Sequence, residues 1–70
     1  MSRGMTHTLL YEIETFLEAH GMDDYRFGFE AVKNGRLVDR LRDGRDILTS
    51  TEERVRTFMR EYERAKERAA

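Results

Sequence analysis

The stretch from Phe27 to Arg45, FGFEAVKNGRLVDRLRDGR, constrains the fold of this chain more than any other. It holds two short apolar groups, Phe27 to Val32 and Leu37 to Leu41, separated by Lys33, Asn34 and Gly35. Asn and Gly enter left-handed backbone conformations at low cost, so this triplet marks a tight turn and not a continuing helix. Before the turn, small Gly28 and Ala31 stand beside Phe27 and Val32, which lets a second backbone come close while the larger side chains face inward. After the turn, Leu37, Val38 and Leu41 fall at i, i+1 and i+4, on one helical face, while Arg36, Asp39, Arg40, Arg42 and Asp43 cover the other. Gly44 is placed to stop that helix. The pattern predicts a helix over about 24–32, a turn, and a short helix over about 35–43.

In its residues this stretch resembles the helix-turn-helix of the lambda-repressor/Cro-like (XRE-type) superfamily. The likeness rests on Phe27-Gly28, Ala31-Val32, Val38, Leu41 and Gly44-Arg45, whose spacing fits that superfamily's apolar and small positions. More narrowly, FG-x-x-AV followed by LV-x-x-LR-x-GR is similar to small helix-turn-helix proteins encoded by bacteria and their phages. The likeness covers the middle third of the chain directly. Gly28 and Val32 stand where the superfamily often has Ala and Gly, and the turn carries an extra Gly. What it implies is a sequence-specific DNA-binding transcriptional regulator, with helix 35–43 in the major groove.

The flanks predict two further helices. Leu9, Leu10, Ile13, Phe16 and Leu17 recur at i, i+1, i+4, i+7 and i+8, which reads as a helix over about 8–20, capped by Thr6 or Thr8 and ended by Gly21. Asp23 or Asp24 is expected to accept from the free N–H groups that open the next helix. Past Gly44, Ile47 and Leu48 are expected to cover the bottom of the core. Ser50 with Glu53, or Thr49 with Glu52, forms a capping-box pattern. Val55, Phe58, Met59 and Tyr62 then supply the apolar stripe of a helix over about 50–68. Residues 1–5 and about 66–70 are expected to fray. The fold class that follows is all-α, a bundle of four helices in a single domain spanning 1–70.

A chain of 70 residues builds a core that is marginal on its own, so a homodimer is expected, with Met59 and Tyr62 as its contact. No Cys is present, which removes disulfides and thiolate ligands and fits a reducing cytoplasm. No targeting segment is visible, and the apolar runs fall far short of the ~18 to 20 residues of a membrane span. The net charge is −1, so bulk charge alone does not suggest a polyanion partner. The local balance differs. Met1 to Val32 carries six acids against two bases, whereas Lys33 to Arg45 carries five bases against two acids. Positive charge is therefore concentrated on the predicted second helix of the motif.

Catalysis has little support. His7 and His20 lie at opposite ends of the first helix, too far apart to share a metal, and Ser50 is explained as a cap. No cofactor is implied, and the chain reads as a binding protein and not an enzyme. With double-stranded DNA as partner, Arg36 and Arg40 share a face suited to guanine edges, Asn34 reaches from the turn, and Asp39 accepts from cytosine or holds an Arg in place. Lys33, Arg42 and Arg45 are expected at phosphates. The alternative is a small adaptor or inhibitor that binds a host or phage transcription factor, a reading kept open by Asp39 and Asp43, which oppose a phosphate field.

Overall fold

The computed structural model describes residues 2–69, with side chains from Thr8 to Ala69. The chain forms four α-helices, α1 Ser2–His20, α2 Asp24–Val32, α3 Leu37–Arg42 and α4 Thr49–Ala69, and no strand occurs among the described residues. The expected all-α bundle is what forms. Met1 and Ala70, expected to fray with their neighbours, and the side chains of Thr6 and His7 lie outside the described residues.

Helix α1 begins earlier than its apolar stripe. It starts at Ser2, so Thr8 stands inside it and does not cap it. Extending an existing helix costs far less than nucleating one, and no proline blocks the residues ahead of Leu9. The stripe itself behaves as its spacing predicts: Leu9, Ile13, Phe16 and Leu17 are buried. At the other end Gly21 takes a positive φ of 60°, and the N–H of Met22 donates to the Leu17 carbonyl at 3.0 Å. Both Leu17 and Met22 enter the core, an apolar closure of the kind that accompanies this type of helix end.

Helix α2 opens on Asp23, whose carboxylate accepts from the Arg26 N–H at 2.7 Å. It ends at a left-handed residue that is neither Asn nor Gly. Lys33 has φ 60° and ψ 30°, and its N–H donates to the Phe29 carbonyl at 2.9 Å. Gly35, the residue expected to supply that conformation, instead lies under the Tyr25 ring, which a Cβ there would push aside.

Helix α3 is shorter than the 35–43 expected. Gly35 and Arg36 belong to a turn in which the Asn34 side-chain oxygen accepts from the Arg36 N–H at 3.0 Å and the Asn34 carbonyl from the Leu37 N–H at 3.2 Å. At its end Gly44, with φ 85°, allows the Arg45 N–H to reach the Arg40 carbonyl and the Gly44 N–H the Leu41 carbonyl, both at 3.0 Å. These two bonds satisfy carbonyls that the helix end would leave open.

Neither capping-box pair forms at α4. The helix starts one residue sooner, at Thr49, with the Leu48 carbonyl accepting from the Glu52 N–H at 2.9 Å. Glu52 does not turn back to the cap; its carboxylate accepts from Arg56 Nε at 3.1 Å. An i,i+4 pairing already available along the helix competes with the box. Beyond Tyr62 every described side chain of α4 is exposed.

The core joins Leu9, Ile13, Phe16, Leu17 and Met22 to Phe27, Leu37, Val38, Leu41, Val55 and Met59. Phe27 is fully buried and meets Phe16 edge-on at 5.5 Å between ring centroids and Phe58 at 5.4 Å. Each such pair adds about 0.5 to 1.5 kcal/mol beyond the area it buries. Small Gly28 brings α2 against α3, since a Cβ there would collide with the Asn34 carbonyl oxygen and stand 3.1 Å from Leu37 Cβ. Of the two apolar residues before α4 only Ile47 packs on this core. Leu48 points away and is 73% exposed, so it does not cover the core as expected.

Candidate functional site

The arginines separate into two groups by what faces them. Arg26 Nε donates to Glu30 at 2.8 Å, one turn along α2. Arg56, on α4, donates to Glu12 of α1 at 2.6 Å and to Glu52 at 3.1 Å. Arg42, at the end of α3, holds Glu14 of α1 at 3.0 Å and Asp24 at the start of α2. Hydrogen bonds to Asp24 and then Glu14 make its guanidinium harder still to deprotonate than an ordinary Arg.

Arg36, Arg40 and Arg45 are different. They are exposed, and none has an ion pair among the described residues, which is true also of Arg54, Arg60, Arg64 and Arg68 along α4. They follow one another around α3: Arg36 closes the turn before it, Arg40 lies one turn on, and Arg45 leaves just past the Gly44 stop. The Arg40 N–H donates to the Arg36 carbonyl at 3.0 Å, so the two keep the one-turn spacing although Arg36 precedes the helix proper. Lys33 adds a fourth exposed cation beside them, its Nζ 5.4 Å from the centre of the Phe29 ring.

The seven residues expected to contact DNA therefore do not form one patch. Arg42 lies two residues past Arg40, hence about 200° around the helix, and is turned to the carboxylates of α1 and α2. Asn34 spends its side-chain oxygen on the turn, holding the backbone from which Arg36 projects. Asp39 is exposed on the outer face of α3, between the buried Val38 and the exposed Arg40 in sequence, and Asp43 shares that face one turn on. Neither carboxylate has an ion pair among the described residues. Met59 is buried in the chain's own core, and Tyr62 packs on Phe16 and His20 at 5.4 and 5.0 Å. The side chains expected to make a dimer contact are thus occupied within the chain.

Two features near this end were not read from the sequence. Tyr25 and Phe29, one turn apart on α2, lie parallel with ring centroids 6.1 Å apart and are 65% and 47% exposed. Together with Gly35 beneath Tyr25 and Lys33 over Phe29 they make a continuous stack along the turn. Their i,i+4 spacing is the sequence signal that could have found it. Leu48 is the second feature: it is exposed and lines a cleft together with Asn34, Arg40 and Arg45. Nothing in the sequence separates Leu48 from its packed neighbour Ile47.

No helix among the described residues is long and apolar enough to cross a membrane. No known family model matches this chain, and neither a curated protein nor a solved structure matches it significantly.

Proposed function

We propose that this protein is a sequence-specific DNA-binding regulator that presents α3 to the major groove. The observation that carries the reading is the sorting of the arginines. Arg26, Arg42 and Arg56 are tied to carboxylates, whereas Arg36, Arg40 and Arg45 stand exposed without one around a single six-residue helix; Arg54, Arg60, Arg64 and Arg68 also lack one but are spread along α4. Unpaired guanidinium groups on a chain of net charge −1 form a local field for a polyanion. A helix about 10 to 12 Å across with its side chains can enter end-on a groove about 12 Å wide, and the ~9 Å length of α3 is close to the ~8.5 Å depth of that groove. The likeness of Phe27–Arg45 to helix-turn-helix proteins points the same way.

In this reading Arg36, at the start of α3, meets guanine O6 and N7 through its planar fork, with Asp39 on the neighbouring base pair. Lys33 and Arg45 hold phosphates on either side. Arg42 is removed from the interface and acts as a strut between α1, α2 and α3. The protein binds as a homodimer, because one short helix reads few base pairs, and its half-sites lie about one helical turn, ~34 Å, apart. Met59 is buried, which leaves the dimer contact to exposed residues.

The test is a gel-shift titration on random-sequence duplex at low and moderate salt, followed by selection of bound sequences. Binding that falls steeply with salt, and a palindrome among the selected sequences, supports the reading. Absence of binding at low salt overturns it and favours a protein partner, the reading to which the unpaired Asp39 and Asp43 lend themselves.

A further inference from the structure

The cleft between α3 and the start of α4 is amphiphilic in the same way as a sugar–phosphate backbone. Arg40, Arg45, Asn34 and Thr51 line it together with the apolar Leu37, Ile47 and Leu48. Asp46 lines it too, a negative charge that the two arginines outnumber. Single exposed leucines are ordinary on protein surfaces and by themselves mean nothing. Here a leucine 73% exposed shares a cleft with two guanidinium groups that lack ion pairs.

We propose that this cleft seats one sugar–phosphate unit of a DNA strand, with Arg40 and Arg45 on the phosphate oxygens and Leu48 against the deoxyribose. The assignment rests on the DNA-binding reading above and deepens it. It separates Arg40 from Arg36, although the two are spaced as a pair on one helical face. Arg36 stands at the turn, ahead of the helix, while Arg40 is at the cleft with Arg45 and clamps the strand without reading it. Two planar guanidinium groups that converge on one phosphate supply charge-assisted hydrogen bonds, and the leucine removes the adjoining apolar sugar face from water. The contact fixes the register of α3 in the groove and carries no sequence information of its own.

The experiment is a scan of neutral methylphosphonate linkages along a duplex of selected sequence, with binding measured for the wild type and for Arg45→Ala, Arg40→Ala and Leu48→Ser. At one linkage the neutral substitution should weaken the wild type about tenfold yet leave Arg45→Ala and Arg40→Ala nearly unchanged, since the charge they meet is already gone. Leu48→Ser should weaken binding roughly three- to tenfold on every sequence with an unaltered salt slope, as the loss of an apolar contact requires. If no linkage absorbs the effect of Arg45→Ala, or if Leu48→Ser binds like the wild type, the cleft assignment is overturned. Arg36→Ala run in parallel separates the two levels: relaxed base preference there keeps the groove reading while the cleft falls, and failure of the wild type to bind any duplex removes both. The modified linkage sits in the DNA, so the wild-type loss at that linkage is read without any variant, and circular dichroism of Arg40→Ala and Arg45→Ala checks the fold of the two compared with it.

Discussion

Gly28 and Asn34 are hydrogen-bonded across the α2–α3 turn, the Asn34 N–H to the Gly28 carbonyl at 3.1 Å, and the Asn34 carbonyl oxygen occupies the space that a Cβ on Gly28 would need. The obstacle is backbone and cannot rotate away. Gly28→Ala should therefore separate α2 from α3 and destabilise the protein by about 1 to 3 kcal/mol, the usual range for overpacking. Ala gains about 1 kcal/mol over Gly in a helix interior, which is too little to reverse the sign. Urea melts of the two proteins test this. An unchanged or higher midpoint for the alanine variant would mean that the close approach of the helices is not rigid.

Lys33 is the position where stability and the proposed activity are set against each other. It holds a left-handed conformation, φ 60°, at the residue that ends α2, a place where Gly is free of the Cβ penalty. Lys33→Gly should raise stability by about 0.5 to 1 kcal/mol, or roughly 4 °C in melting temperature for a domain of this size. The same change removes a cation beside Arg36. DNA affinity should drop, and the salt slope by about 1, because one counterion fewer is released. A variant that is more stable and binds with an unchanged slope would take Lys33 out of the interface.

How far the sequence could be read depended on whether the competing interactions were local. The buried stripe Leu9, Ile13, Phe16, Leu17 and the stripe of Val55 and Met59 follow from helical period alone, and each is where that period puts it. Asp23 and Gly44 terminate their helices as their chemistry predicts, since caps need only neighbours a few residues away. Gly35 misled because two roles of glycine, positive φ and absence of a Cβ, look the same in a sequence; the Tyr25 ring decides which one applies. The role of Arg42 was hidden for a different reason. Its partners Glu14 and Asp24 are 28 and 18 residues away, so only the packed fold shows that it is a strut and not a free cation. Leu48 and Ile47 differ by a rotation of the chain before α4 that no local pattern records.

Arg42→Ala should accordingly read out as stability and not as binding. Its side chain is 42% exposed, so solvent screens both ion pairs and the loss should be modest, about 0.5 to 1 kcal/mol. The loss should shrink as salt rises. On DNA the variant should bind within about twofold of the wild type once folded, in contrast to Arg45→Ala, which has no internal partner to give up. A salt-slope reduction near 1 for Arg42→Ala, without destabilisation, would return this residue to the phosphate contacts.

Arg36 carries the decisive prediction about sequence reading, because it is the unpaired arginine held by the turn itself. The Asn34 side chain fixes its N–H at 3.0 Å, and its carbonyl accepts the first backbone bond of α3 from Arg40, so the backbone from which its guanidinium extends is fastened on both sides. A fork held at a fixed origin can discriminate between bases, whereas one on a mobile loop mainly contributes charge. Arg36→Ala should cost about 1 to 3 kcal/mol on the best site and relax preference at one base pair. Arg36→Lys should keep the charge and the salt slope but lose the same preference, because an ammonium cannot match O6 and N7 together. Asn34→Ala should reproduce part of the Arg36→Ala effect by loosening the turn. Binding profiles on a library of single-base variants of the selected site distinguish these outcomes. If both Arg36 substitutions leave the profile unchanged, α3 does not read bases through this residue, and the end-on placement of the helix in the groove has to be abandoned.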